Sequence, residues 1–147
     1  MRDWTHNFGA VNAIAPAVLT DDPAPLTIDR SGFDAVTFVL QVGAGGISFT
    51  NTNRIDFVVE HSDDAVTWEA ADASNVLGVS PVVGGNVLSL RSAHPDASVT
   101  RVGYVDGTKG DRRYVRLRAD FNGTHGNGTP IAALAVLGKP RNLPAAA

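Results

Sequence analysis

The sequence contains no cysteine, and this absence removes several kinds of chemistry. A disulfide framework, a thiolate metal site and a cysteine nucleophile all require cysteine side chains. Charge is also sparse, because charged residues make up 18% of the chain and the formal net charge is −3. A general nucleic-acid-binding protein normally carries an excess of basic residues, so we expect no nucleic-acid partner.

Long apolar runs are absent as well. The longest ones fall far short of the roughly 20 residues that span a bilayer, so we expect no membrane partner. The first residues lack the apolar stretch of a secretory signal, which predicts synthesis in a reducing cytoplasm. With 147 residues and 44% hydrophobic side chains, the chain is expected to form one domain with a substantial core.

The most informative segment that is present is Arg54-Ile-Asp-Phe-Val-Val-Glu-His-Ser-Asp-Asp-Ala-Val-Thr-Trp68. Its first half alternates apolar and polar side chains with the period of a half-buried strand. The Ser-Asp-Asp cluster at residues 62–64 favours a turn, because short polar side chains hydrogen-bond the turn backbone. The alternation resumes at Val66 and Trp68, so the segment predicts a β-hairpin.

Other strand-like segments follow at short intervals, with little sign of helix. The predicted strands are residues 35–42, 47–49, 87–90, 100–105, 113–121 and 131–137, with a short strand near 26–28, a helical turn at 72–77 and glycine-rich turns at 43–46, 84–86, 106–111 and 122–130. Residues 35–42 are apolar on both faces, and all residues of 131–137 are apolar, which favours buried strands. Together these features predict an all-β fold, an antiparallel jelly-roll-like β-sandwich with an extended N-terminal arm.

The first 30 residues differ in composition from the remainder. Three prolines between residues 16 and 25 favour extended backbone and interrupt any regular period. Apolar side chains such as Trp4, Phe8 and Ile14 favour an arm that lies on a surface, with a disordered tail as the alternative. The predicted organisation is an extended arm over residues 1–30, a β-sandwich domain over residues 31–140 and a C-terminal tail over residues 141–147.

No catalytic or cofactor-binding motif stands out, so we expect neither an enzyme nor a cofactor. The histidines have no short spacing that would assemble a zinc site; they are His6, His61, His94 and His125. The acidic cluster at residues 62–64 has oxygens suited to Ca²⁺, but further ligands cannot be assigned, and a plain turn is the alternative. We therefore expect no metal site.

Two groups of residues are candidates for partner binding. In the arm, Trp4, Phe8 and Ile14 either cover this domain's own core or insert into a neighbouring molecule, where large apolar anchors often dominate an interface. In the strand at 113–121, the second face carries Tyr114, Arg116 and Arg118, and Arg112 and Arg113 stand beside them. These arginines either dock an acidic partner, with Tyr114 as an anchor, or form a solvated face that discourages edge-to-edge pairing.

Three segments, Val58-Val-Glu-His-Ser-Asp-Asp-Ala-Val-Thr-Trp68, Arg113-Tyr-Val-Arg116 and Ala133-Leu-Ala-Val-Leu-Gly138, resemble parts of discoidin-like (galactose-binding-like) jelly-roll modules. Ala65 stands where those modules usually have a turn glycine, and the bracketing cysteines of their secreted members are missing. The resemblance implies jelly-roll topology more than sugar binding. A carbohydrate-binding module is the main alternative function.

A second resemblance covers nearly the whole chain. The segments Val42-Gly-Ala-Gly-Gly-Ile47, Gly123-Thr-His-Gly-Asn-Gly-Thr-Pro-Ile-Ala132 and Leu137-Gly-Lys-Pro-Arg141 make the sequence similar to small proteins encoded beside the head genes of tailed bacteriophages and prophages. This resemblance implies a virion structural protein of the capsid decoration or cement type, located on the capsid surface. The implied partners are the major capsid protein and further copies of the chain. A head–tail connector or tail component is the alternative.

Overall fold

The computed structural model describes residues 3–92, 96–105 and 112–142. In these ranges the regular structure is ten β-strands and one 3-10 helical turn, Thr5–Asn7. The strands are β1 (Gly9–Leu19), β2 (Ile28–Asp29), β3 (Phe33–Val42), β4 (Arg54–Ser62), β5 (Glu69–Ala70), β6 (Val76–Leu77), β7 (Asn86–Leu90), β8 (Ser98–Val105), β9 (Tyr114–Asn122) and β10 (Thr129–Pro140). The turn predicted at 106–111, His94 and tail residues 143–147 lie outside the described residues.

Two antiparallel sheets pack face to face, which confirms the predicted β-sandwich. Sheet A has the strand order β1-β10-β3-β8-β6 and sheet B the order β2-β9-β4-β5, with β7 also paired to β4. The longest uninterrupted ladder joins β4 to β9, from Arg54 opposite Asn122 to Ser62 opposite Tyr114. Many neighbours in a sheet are not consecutive in the chain, so the chain crosses repeatedly between the sheets, as in a jelly roll. No helix in the described ranges is long and apolar enough to cross a membrane.

The core lies between the sheets and follows the alternation of the sequence. In β9, Val115, Leu117 and Ala119 are fully buried, as their shared face predicted, whereas Phe121 at the end of the strand is half-buried. The other fully buried large side chains come from both sheets, and they include Phe38, Leu40, Ile55, Phe57, Val59, Val102 and Tyr104. Period-2 alternation therefore identified the inward faces of β4 and β9.

Most of the N-terminal segment belongs to the sandwich itself. Residues 9–19 are extended, as predicted, but they form the edge strand β1, which pairs with β10 and has register shifts on both sides of Ile14. Ala13 and Ile14 are buried in the core. The sandwich therefore begins at Gly9 rather than at residue 31, because the edge of β10 satisfies the backbone hydrogen-bonding groups of this segment.

Three local predictions differ from the structure. Residues 47–49 form no strand. They lie in a loop from which the side chain of Phe49 packs into the core. The helical turn predicted at 72–77 is a hydrogen-bonded turn, with Asn75 N–H donating to Asp72 O, followed by β6. The second strand of the hairpin begins only at Glu69, because residues 63–67 form a longer loop than the sequence predicted.

Candidate binding surfaces

The arginines of β9 lie on the outer face of sheet B and are paired with acidic neighbours. Arg116 stands opposite Glu60 in the register, and its Nε donates to Glu60 Oε2 at 2.6 Å. Arg118 Nε lies 3.4 Å from Glu60 Oε1, and its Nη1 lies 3.7 Å from Asp120 Oδ1. The Arg116 guanidinium also lies 4.1 Å from the centre of the Trp68 ring, a cation–π contact. The charges of this strand are thus balanced within the chain.

The two arginines just before β9 are paired in the same way. Arg112 bridges Asp63 and Glu69, with both N–O distances at 2.7 Å. Arg113 forms a bidentate ion pair with Asp29. The hydrogen bonds from the Arg113 side chain hold the pKa of the Asp29 carboxyl below its ordinary value. Such half-exposed pairs contribute little stability each, but they leave little unbalanced positive charge for an acidic partner.

Asp56 continues this network on the outer face of sheet B. Burial alone would raise the pKa of its carboxyl, but hydrogen bonds from Ser89 and Arg54 outweigh burial and hold the pKa below its ordinary value. Arg54 Nε lies 2.8 Å from Asp56 Oδ2, and Arg91 adds a longer contact at 3.6 Å. The outer face of sheet B is therefore covered by polar side chains that bind one another.

The acidic loop after β4 uses its own carboxylate as a structural acceptor. Asp64 Oδ1 accepts hydrogen bonds from the backbone N–H groups of Thr67 at 2.7 Å and Val66 at 2.8 Å, and from the Ser62 hydroxyl. These bonds, those from Thr67 and Val66 first, lower the pKa of Asp64 to about 2. No group of three or more potential metal ligands occurs in the described parts of the chain. Asp64 Oδ1 is thus engaged by the loop's own donors.

Two histidines that looked unremarkable in the sequence are buried. His61 Nδ1 lies 2.8 Å from the Tyr104 hydroxyl, a hydrogen bond that joins sheet B to sheet A. Burial, reinforced by the charge of Arg112, lowers the pKa of His61, so the neutral imidazole is favoured. His125 is 3% exposed, and its ring packs edge-on against Phe121. No sequence spacing revealed either role, because both partners come from distant strands or from the fold of a loop.

The outer face of sheet A is apolar, in contrast to that of sheet B. Cross-strand rows on this face align Leu134 with Val39, and Ala132 with Gln41 and Val99. In the described residues, Arg101 is the charged side chain in the middle of this face, opposite Val39. Asp34 of β3 and Lys139 of β10 are exposed charged residues at the end of these strands far from Gln41 and Ala132. Val99 is 64% exposed and Leu134 is 40% exposed. Contiguous apolar surface of this kind marks interaction sites in soluble proteins.

One end of this face forms a groove of about 450 Å³. Its lining is mostly apolar and comes from four strands and their ends, namely Pro16, Ala17, Val18, Gln41, Val42, Gly43, Ala97, Ser98, Val99, Pro130, Ile131 and Ala132. A second hollow of about 220 Å³ adjoins it beside Val39 and Leu134. Val18, which is 61% exposed, lies at the β1 side of the groove. The groove is open enough to receive a side chain or a short segment of a partner.

The two glycine-rich segments at residues 42–47 and 123–132 meet beside this groove. Gly43 N–H donates to Pro130 O at 2.8 Å. Gly46 has a φ of +90°, and a Cβ at this position would approach Gly128 O to 2.2 Å, so only glycine allows the two loops to touch. Segments that are far apart in the sequence therefore build one end of the sandwich.

The structure separates the predicted partner-binding residues into three environments. Trp4 is 71% exposed, Phe8 is half-buried and Ile14 is 4% exposed in this chain's own core. Their role in partner binding stays a prediction, and Ile14 has no free surface to offer. Tyr114, Arg116 and Arg118 lie together on the outer face of sheet B, half-buried in the ion-pair network, and the ring of Tyr114 lies beneath Arg113.

Sequence reasoning missed the outer face of sheet A. Residues 35–42 and 131–137 are apolar on both sides of the strand. This pattern predicts burial of both faces, and an exposed apolar face gives the same pattern. In a sandwich of two layers a strand has only one face in the core, so the second apolar face of β3 and β10 is exposed.

Comparisons of the chain with models of protein families, with curated proteins and with solved structures found no match. Function must therefore be inferred from these surfaces and from the resemblances in the sequence.

Proposed function

We propose that the chain is a non-enzymatic structural protein of a tailed-bacteriophage virion that decorates the capsid and stabilises it. It docks the outer face of sheet A, with its groove, on the major capsid protein. The observation that carries this proposal is the apolar character of that face. An antiparallel sheet with one solvated side normally presents polar residues there, as sheet B does in this protein.

The energetics favour binding at many sites at once. Full burial of an exposed valine or leucine contributes about 1.5–3 kcal/mol, and less where the side chain is already half-buried. Loss of translational and rotational freedom costs about 4–15 kcal/mol per association. The few exposed side chains of the face, chiefly Val18, Val99 and Leu134, therefore give weak binding for one chain. Repetition over a symmetric shell, together with contacts between copies, raises the overall strength.

The phage resemblance supports the same surface. Val42, Gly43 and Pro130 line the groove and belong to the resembling segments. The exposed Trp4 supplies a second contact, to a neighbouring copy or to the capsid protein, and half-buried Phe8 supports it. In this proposal the protein is made in the host cytoplasm and resides on the capsid surface of the virion.

The direct test is co-sedimentation of the purified protein with phage heads that lack it. We expect saturable binding at many copies per head, weakened at least about tenfold by Val99→Asp, which buries a charge in the proposed contact. Val66→Asp is the matched control, because Val66 is 81% exposed in the loop after β4, away from sheet A. Trp4→Ala tests the second contact separately.

Each outcome of this experiment has a definite meaning. Equal binding by Val99→Asp and the unaltered protein would remove the sheet A face from the proposal. Binding at only a few copies would favour the head–tail connector or tail alternative. Complete absence of binding would contradict capsid decoration.

One contact favours the carbohydrate-binding alternative. Trp68 lies beside Arg116 and Glu60, and sugar sites combine an aromatic ring with planar polar groups. One side of the Trp68 ring is already occupied by the Arg116 guanidinium, which leaves a single side for a sugar. Glycan-array binding that disappears in Trp68→Ala would support this alternative over capsid decoration.

A further inference from the structure

The edge strand β1 differs from the strands at the other sheet edges. It has 11 residues, whereas β2, β5 and β6 have two each and β7 has five. Strand β1 pairs only with β10 in the described structure. An edge strand presents alternate N–H and C=O groups outward, ready to pair with another strand.

This edge has no charged residue to prevent such pairing. Residues 9–19 contain no Lys, Arg, Asp or Glu, which natural edges commonly use for protection. Protective features are confined to the second half of β1, where Pro16 and the register shifts lie. The neighbouring edge of sheet B is partly capped by a side chain. There Asp22 Oδ1 accepts a hydrogen bond from the outward N–H of Phe121. The open, regular part of the edge is therefore residues 10–12, which are exposed, whereas Gly9 and Ala13 on either side are buried.

We infer that β1 pairs with β1 of a second copy, antiparallel and about a two-fold axis near Val11. A two-fold contact must be self-complementary, and a short uncharged segment meets that condition because no like charges face each other. Ala10 of one copy then stands opposite Asn12 of the other, and both side chains are small and exposed. The two A sheets become one continuous sheet.

The proposed function includes contacts between copies of the chain, and this dimer specifies one such contact. A two-fold axis perpendicular to the joined sheet places both apolar outer faces, and both grooves, on the same side. A dimer of this kind would present two docking faces to one partner surface, which raises the effective concentration of the second face. The dimer itself does not depend on the capsid, so its test needs no phage particles.

A ladder of about three residues per copy buries little surface and belongs with weak interfaces. We therefore expect a dissociation constant between about 1 μM and 1 mM. Sedimentation equilibrium at protein concentrations up to about 1 mM should show the mass rising from 15.4 kDa toward twice that value. A single 15.4 kDa species over the whole range would overturn the inference.

Charge variants locate the contact. In Ala10→Lys/Asn12→Lys, lysines face lysines across the axis, and we expect dimerisation to weaken about 100-fold or more. An equimolar mixture with Ala10→Glu/Asn12→Glu should restore a dimer, which also shows that both variants are folded. Val66→Lys controls for charge alone. Dimerisation that survives the lysine pair, or that is lost in Val99→Lys instead, would assign the contact to another surface and overturn the pairing of β1.

Discussion

Replacement of Ala65 by glycine should stabilise this protein. Ala65 has a φ of 59°, in the left-handed region that glycine adopts freely. The left-handed conformation costs an L-residue with a Cβ about 1–2 kcal/mol. Glycine removes that strain but increases the freedom of the unfolded chain, which offsets about 0.4–1 kcal/mol. The expected net gain is about 0.5–1 kcal/mol in the free energy of unfolding.

The hydrogen bonds of the loop prevent Ala65 from relaxing. Its own N–H donates to the Ser62 hydroxyl at 3.0 Å, and the next two N–H groups donate to Asp64. Residue 65 is held between these bonds, so the strain persists in the native state and is released only by substitution.

The assay is urea unfolding at equilibrium, supported by thermal unfolding. For a chain of this length a gain of about 1 kcal/mol raises the Tm by about 2–4 °C. The matched control is Ala97→Gly, at an exposed loop residue without positive φ, which should lose about 0.5–1 kcal/mol. An Ala65→Gly variant that is no more stable than the unaltered protein would refute this reasoning.

Two further predictions concern pH. His61 has a lowered pKa in the folded state, so below pH 6.5 the unfolded state binds more protons and stability falls as the pH decreases; His61→Gln should flatten this dependence in unfolding measured by urea, and an unchanged slope would contradict it. The pKa of Asp64 is lowered from 3.8 to about 2, so its contribution is complete above 3.8 and is lost as the pH falls through about 2. Asp64→Asn should remove that acid-dependent part, and an unaltered acid-unfolding curve would count against the loop geometry.

Much of the sandwich could be predicted from local sequence. Strand β9 alternates cleanly, because one face lies in the core and the other carries polar residues. In β4 the inward residues Ile55, Phe57 and Val59 were recognisable, although the structure buries most of its outward residues as well. The acidic loop at residues 62–64 was recognisable because its side chains bond their own backbone. These features depend on residues that are close together in the chain.

The remaining features depend on partners that are distant in sequence. Strand β1 has no clean period, and its structure comes from the edge of β10. Arg116 and Glu60 form a pair only because the register of β9 and β4 brings them together. His125 is buried because its loop folds against Phe49, whose ring centre lies 6.4 Å from that of His125. Sequence patterns indicate the conformational preference of each residue, but they do not predict these tertiary contacts.

The outer faces of the two sheets differ, so we expect salt to act on them differently: it weakens the ion pairs of sheet B and strengthens apolar contacts of sheet A. Ordinary salt at about 0.1 M screens exposed ion pairs beyond about 10 Å, which loosens the polar network of sheet B only slightly. Sulfate strengthens apolar burial, because it is excluded from protein surface. Ammonium sulfate should therefore bring molecules together through sheet A well before it disturbs the fold, and release them on dilution. If the outer face of sheet A is the docking face, as proposed, the choice of anion would therefore make assembly reversible.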